Sequence, residues 1–256
     1  MLCNFCKKYY IKHIYIIIMK NIDIIIQARM GSTRLPGKVM KKIEDKVVLD
    51  HVIDRVSRAK NIRNVIICTS TLEQDNIIAE HCKQRNIKCY RGSEKNVLNR
   101  YYETAKFYGS DTIIRLTSDC PLFDPNFIDM MIDKYFELEL QYIGPKYYGQ
   151  HQFPDGFNCE IFSFDILKEA ELNANENERE HVSTYIIKKY SSTKYEYDYY
   201  CELQNKYNNI KFDELHLSLD TQEDYELIKN IYKHVYLSKN DFTLEDVLQY
   251  LNNLKV

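Results

Sequence analysis

The chain has 256 residues, 45% of them hydrophobic, and 35 Lys and Arg against 37 Asp and Glu give a formal net charge of −2. Length and apolar content suffice for one domain with a substantial core, and the charge is too small to draw nucleic acid or an anionic membrane by bulk electrostatics. Cys3, Cys6, Cys68, Cys82, Cys89, Cys120, Cys159 and Cys201 lack the paired spacing of a disulfide framework or a complete zinc site, and read as reduced thiols of a cytoplasmic protein.

In chain order, residues 1 to 20 read as a leader, possible to dispense with if Met19 is the true start. Its apolar stretch Ile14 to Met19 falls well short of the ~20 residues that span a bilayer, and no small-residue cleavage site follows. A strand is predicted at Asp23 to Gln27, and the segment Gln27-Ala-Arg-Met-Gly-Ser-Thr-Arg-Leu-Pro-Gly-Lys-Val-Met40 follows it directly. Two glycines, two arginines, a lysine and two hydroxyls at a strand end offer backbone N–H groups and fixed cations to a polyanion, as in a triphosphate grip. The spacing of Gly31 and Gly37 is one residue too long for a P-loop, and Val39 replaces the Ser or Thr that a P-loop lysine needs after it. No Gly-x-Gly pair marks a dinucleotide turn either.

A helix is predicted around Leu49 to Ala59, a strand at Asn64 to Thr69, a helix at Gln74 to Gln84, a strand at Ile87 to Tyr90, a helix near Val97 to Tyr108 and a strand at Thr112 to Leu116. Such alternation implies an α/β fold, parallel strands with helices on both faces. A helix from about Pro125 to Glu137, a Tyr-, Gly- and Pro-rich stretch from Gln141 to Phe157, a strand at Asn158 to Ser163, a helix near Phe164 to Leu172 and a polar connector follow. The last third adds a helix at Glu180 to Tyr190, strand-like pieces at Tyr195 to Tyr200 and Leu215 to Leu219, and helices at Gln222 to Val235 and Leu244 to Leu251. No composition break divides residues 21 to 256, which read as a single domain.

Ligands of open parallel sheets collect at the carboxyl ends of strands. Asp119 ends the run Thr112 to Ser118 and Asp220 ends Leu215 to Leu219, so two hard carboxylates could reach one Mg²⁺ facing the grip loop. The alternative is that each caps the helix after it. His51, His81, His181 and His216 show no metal-ligand spacing, and the carboxylate beside Cys120 argues against a thiol nucleophile there.

With these residues the chain resembles the acylneuraminate cytidylyltransferase family, most closely its spore coat polysaccharide branch. The similarity is carried by Ile25 to Lys38, Tyr90-Arg-Gly-Ser-Glu94 with Val97-Leu98 and Arg100-Tyr101, Ile114 to Leu122, Phe153-Pro-Asp-Gly156, Glu178-Arg-Glu-His-Val182 and Leu219-Asp-Thr-Gln-Glu-Asp224. It implies a Rossmann-like nucleotide-diphosphosugar transferase fold, a mixed, mostly parallel sheet of about seven strands with helices on both faces. It also implies Mg²⁺-dependent transfer of CMP from CTP, or of another nucleotide, to a sialic acid-like or other ulosonic acid or related sugar, with release of pyrophosphate, by a chain that can form a homodimer.

On matching positions, Arg29, Ser32, Arg34 and Lys38 would hold the triphosphate, Asp119 and Asp220 the metal, and the backbone of Ala28 and Gly31 would face the nucleotide. Arg34, Lys38 and Asp119 would be catalytic. Asp155, Gly156, Glu160, Arg179, Glu180 and His181 would meet the acceptor. Arg91, Ser93 and Arg100 could touch base or phosphate, or pair with carboxylates such as Glu94 and Glu103. A glycosyltransferase using an NDP-sugar and a catalytically silent nucleotide-binding relative are the alternatives; the former would favour an Asp-x-Asp pair where this chain has Ser118-Asp119-Cys120.

Overall fold

The strand β1 (Ile22–Gln27) is buried along almost its whole length, which is why it reads as an unbroken apolar run rather than an alternation. In the computed structural model, which describes residues 20–144, 154–157, 159–191 and 198–254, Ile22, Ile24 and Ile26 join one hydrophobic cluster and Ile25 joins a second on the other side of the sheet. Its one charge, Asp23, is fully buried and satisfied by Arg63, Asn64 and Ser110 at 2.5 to 3.0 Å. The predicted leader, with Cys3, Cys6 and Met19, lies outside the described residues.

Helices cover both faces. One cluster takes α1 (Val48–Val56), α4 (Pro125–Glu137), α8 (Gln222–Ile231) and α9 (Leu244–Asn253), and the other takes α3 (Val97–Tyr108), α5 (Phe164–Asn173) and α6 (Thr184–Tyr190). β4 (Asn64–Ser70) and β6 (Thr112–Thr117) flank β1 in parallel, and β5 (Lys88–Gly92) pairs in parallel with β4. β8 (Glu160–Ser163) runs antiparallel to β6 and β7 (Tyr142–Ile143) antiparallel to β8, so the order is β5-β4-β1-β6-β8-β7. β2 (Lys42–Ile43) and β3 (Lys46–Val47) form a separate two-stranded hairpin after the loop. The remaining helices are α2 (Asn76–Gln84) and α7 (Asp198–Lys206). No helix of the described residues is long and apolar enough to cross a membrane.

The main sheet has six described strands where about seven were expected. Leu215 to Leu219 is extended but joins no ladder. Leu217 N–H donates to Asp155 O at 2.8 Å and Leu219 N–H to Asp119 O at 2.8 Å, so the segment bridges the turns that carry Asp155 and Asp119. Leu217 and Leu219 are buried, and that apolar alternation is what imitates a strand. The predicted strand at Tyr195 to Tyr200 is also corrected: α7 begins at Asp198, and residues 195–197 lie outside the described ones.

The helix expected from Gln222 to Val235 ends its α-helical part at Ile231 and continues as a π-helical turn, Tyr232–Tyr236. The wider turn seats Tyr232 against His51 and Phe242, its hydroxyl donating to Pro121 O at 2.5 Å. It thereby buttresses the chain just after Asp119.

Candidate functional site

The cationic loop between β1 and β2 is held from beneath. Met30 N–H donates to Asp75 Oδ1 at 2.7 Å, and the Ser70 hydroxyl donates to the other oxygen of the same fully buried carboxylate. Gly37 N–H returns to Met30 O at 3.0 Å. Gly37 itself has φ 66°, the left-handed turn that sends Lys38 back over the sheet, where a Cβ would be strained. Asp75 escaped the sequence reading because it belongs to no apolar run and no charged motif. Asp75→Ala leaves the half-buried Met30 N–H and the buried Ser70 hydroxyl without this acceptor and is expected to cost about 2–3 kcal/mol, measured by urea unfolding.

Lys38 gathers the site. Its Nζ donates to Asp119 Oδ2 at 2.8 Å, Leu219 O at 2.8 Å and Asp220 Oδ1 at 3.0 Å, which uses all three ammonium protons. The two carboxylates, a hundred residues apart in sequence, thus meet at one point over the loop, and Arg34 reaches the same Asp220 oxygen at 3.0 Å. The Leu219 N–H to Asp119 O bond ties the two acidic turns together behind them. Neither aspartate caps a helix: Asp124 caps α4, with Pro125 in its first turn, and Thr221 caps α8 in a capping box with Asp224. Both carboxylates are therefore left for the cleft.

Burial pulls the Lys38 ammonium down, but Asp119 and Asp220 outweigh it and hold it above the ordinary lysine value. Burial likewise pushes Asp119 up and Lys38 overrides it, leaving the carboxyl below its ordinary value. A depressed Asp119 contributes stability that is complete above its unfolded value of 3.8 and is lost as pH falls through the folded one. A raised Lys38 contributes below 10.5 and loses its contribution as pH rises through its folded value. The stability difference between wild type and Asp119→Asn is therefore expected to be flat from about pH 5 to 9 and to shrink on either side. A difference that already varies near neutrality in denaturant titrations would show the pair is not formed.

On the far side of Asp220, His216 Nδ1 lies 2.8 Å from Asp155 Oδ2, and its Nε2 lies 3.6 Å from Asp220 Oδ2 and 3.5 Å from Asp224 Oδ2. One donor atom each from Asp155, His216 and Asp220 fall within 4.8 Å of one another, a set able to hold a metal. This corrects the expectation for His216. Its partner Asp155 is remote in sequence, and only the bridging segment brings them together. Gly156, at φ 103°, lets that segment pass: a Cβ there would stand 2.5 Å from the Leu217 carbonyl carbon.

A cleft of about 600 Å³ opens above the carboxyl ends of β1 and β6. Ala28, Arg29, Ser32, Arg34, Lys38, Asp119, Asp220, Glu180 and His181 all line it, although the Ala28 N–H is spent on Cys68 O at 3.2 Å. Glu94, Lys95, Arg100 and Glu176 line it too. Gly31 is not among the lining residues; a Cβ there would meet Gln74 Nε2 at 3.0 Å, so it lets the loop pack on the lead-in to α2.

Other expected contacts are committed elsewhere. Arg91 donates to Ser70 O and Leu72 O at 2.9 Å, and the Ser93 hydroxyl accepts from Asn96 N–H at 3.0 Å. Arg179 holds Glu171 at 3.0 Å through its carboxylate and at 2.8 Å through its carbonyl. Glu160 is buried, paired with Arg115 and accepting from Tyr142 and Ser183 hydroxyls at 2.7 and 2.9 Å. Cys120 is buried, and burial together with Asp119 pushes its thiol well above the ordinary value, so it is no nucleophile at neutral pH.

Comparison with known proteins places this geometry. The sequence pattern of the cytidylyltransferase family matches residues 24–246. Spore coat polysaccharide biosynthesis protein SpsF of Bacillus subtilis is 32% identical over 240 residues, covering 91% of this chain and 95% of that protein. The solved structure of a cytidylyltransferase from Leptospira borgpetersenii superposes with a TM-score of 0.79 at 30% identity, covering 92% of this chain and 95% of that one. A CMP:2-keto-3-deoxy-manno-octonic acid synthetase complexed with CTP shares the fold at a TM-score of 0.60 and 15% identity, covering 83% and 98% of the two chains. By sequence and fold, the chain belongs to the cytidylyltransferase family.

Proposed function

We propose that the protein transfers CMP from CTP to a hydroxyl of a sugar acid, an ulosonic acid of the sialic or octulosonic kind, for polysaccharide assembly. The observation that carries this reading is the Lys38 ammonium held by three oxygens, from Asp119, Leu219 and Asp220, at the mouth of a cationic loop. A cation already stands where two hard carboxylates converge, so the donor set suits a divalent ion, and Asp119 and Asp220 would hold Mg²⁺. Bound there, the ion would neutralise charge developing on the triphosphate.

The chain's own residues account for the rest. Arg29 and Arg34 grip the β- and γ-phosphates, with Ser32 in the loop beneath and Lys38 turning to them when a metal takes its place between the two carboxylates, and hold the α-phosphorus toward the acceptor. The acceptor oxygen attacks the α-phosphorus in line, a P–O bond forms, and the bond to the β-phosphoryl oxygen breaks to release pyrophosphate. The hydroxyl proton passes to the imidazole of His181 or the carboxylate of Glu180, both of which line the cleft. No covalent intermediate is needed, because such chemistry asks mainly for position and charge neutralisation. The cleft is large enough for nucleotide and acceptor together, and the CTP complex of the fold relative supports the choice of nucleotide.

The test is pyrophosphate release from CTP, then from ATP, GTP and UTP, against 2-keto sugar acids and sugar 1-phosphates. Metal-dependent release with CTP and a 2-keto acid is expected, and Asp119→Asn is expected to slow it about a hundredfold. Release with none of the acceptors, or an Asp119→Asn enzyme as fast as wild type, would overturn the reading.

A further inference from the structure

Arg55 and Arg100 are deeply buried and Arg115 is largely so, and the three differ in what they face. Arg55 donates to the carbonyls of Leu122, Phe123 and Phe242 at 2.9 to 3.2 Å and lies over the Phe242 ring. Arg115 is paired with Glu160. Each leaves one nitrogen unpaired, but neither lines the cleft.

Arg100 is 2% exposed and does line it. Among the described residues its guanidinium donates to one oxygen, Ser93 O at 2.5 Å, while its Nε has no partner. It also hydrogen-bonds the thiol of Cys68, a weak acceptor kept neutral because burial pushes it up to about 11. A buried guanidinium without a matching anion is costly unless something supplies acceptors. The placement is built for it: Gly92 has no side chain where the Arg100 stem crosses, and a Cβ there would meet Arg100 Cγ at 3.0 Å.

The direction of the cleft tells what that something is. Lys38, Arg34, Asp119 and Asp220 cluster where β1 and β6 end, whereas Arg100 belongs to the helix that follows β5, the strand at the opposite edge of the parallel part of the sheet. A nucleotide whose phosphates are gripped at the first pole can extend its base toward the second. There Val97 and Arg100, three residues apart on one face of α3, both line the cleft, an apolar flank for a ring beside donors for its edge. A guanidinium offers donors and no acceptor. Cytosine presents O2 and N3 side by side as acceptors, whereas uracil presents an N3–H donor that a guanidinium repels.

We propose that Arg100 reads the base, its fork meeting the O2 and N3 edge of cytosine, and that it sets the preference of this enzyme for CTP over UTP. This rests on the cytidylyl-transfer reading above. The test is equilibrium binding, by calorimetry, of CMP, UMP and inorganic pyrophosphate with Mg²⁺ to wild type, Arg100→Gln and Arg100→Lys. Wild type is expected to bind CMP at least about tenfold tighter than UMP. In Arg100→Gln, CMP affinity falls by about tenfold or more, to the level of UMP, while pyrophosphate affinity stays within about twofold. Arg100→Lys, which keeps the charge without the fork, loses the CMP preference as well.

A parallel fall in pyrophosphate affinity would place the guanidinium on the triphosphate instead, and equal losses for CMP and UMP would remove it from the base edge; either overturns the proposal. Should Arg100→Gln not fold, 3-deazacytidine 5′-monophosphate decides with wild type alone. Binding about tenfold weaker than CMP supports the N3 contact, and equal binding sinks it. Because these measurements need no acceptor, they judge Arg100 separately from the transfer reaction, whose own failure is read from pyrophosphate release.

Discussion

Lys38→Ala is expected to lower turnover with CTP by at least about a hundredfold and, in the absence of nucleotide, to raise the affinity for a divalent cation. The two effects have one origin. The Lys38 ammonium both lies at the cationic loop and fills the gap between Asp119 and Asp220. Without it the two carboxylates confront each other uncompensated, so a cation is drawn in more strongly, by about tenfold or more at such short range. Mn²⁺ titration followed by electron paramagnetic resonance measures this directly, and unchanged Mn²⁺ affinity would show that the ammonium does not occupy the cation seat. The variant is also expected to lose about 1–3 kcal/mol of stability in metal-free buffer and to recover it, without recovering activity, when Mn²⁺ is added. Arg34→Ala supplies the contrast. That side chain is 64% exposed, so its loss should slow turnover and scarcely move the unfolding midpoint.

The largest stability effect is expected at Glu160. Its carboxylate is buried under Arg115, and although burial pushes it up, the guanidinium holds it below the usual carboxylate value. Glu160→Ala strands the Arg115 guanidinium in the sheet and leaves the Tyr142 and Ser183 hydroxyls without their acceptor. Breaking a buried pair by removing one member costs about 3–5 kcal/mol, which in a chain of this size lowers the thermal midpoint by about 10 °C. A shift of about 2 °C or less in a calorimetric scan, together with lost acceptor affinity, would return Glu160 to the sugar-contact role that the sequence suggests. Double replacement of Arg115 and Glu160 by apolar residues should recover part of the loss, since no charge is then left unpaired.

The parallel half of the sheet was legible because β1, β4 and β6 are apolar runs separated by helices with clear periodicity. The grip loop was legible because glycine, arginine and lysine seldom coincide at a strand end. Asp119 and Asp220 could be picked out as polar residues terminating apolar runs. What stayed hidden depends on contacts between remote segments. Asp75 looks like any helix-leading aspartate until Met30 is seen to lean on it. His216 looks like a lone histidine until Asp155 arrives beside it. Glu160 and Arg179 sit in motifs that resemble acceptor contacts, yet their partners, Arg115 and Glu171, come from other elements. Leu215 to Leu219 misleads for a related reason: burial imposes the same alternation on a bridging segment as on a strand.

The tie between Leu219 N–H and Asp119 O means that the chemistry is assembled late in the life of the chain. A polypeptide emerging from the ribosome can form the central strands, the loop and Asp119 well before Leu219 and Asp220 are synthesised. Such an intermediate owns one arm of the cation clasp and none of its closing bond. The convergence of the two carboxylates therefore waits on a segment a hundred residues downstream of the first, and a product terminated before that segment would lack both the second carboxylate and the α8 and α9 side chains that cover one face of the sheet.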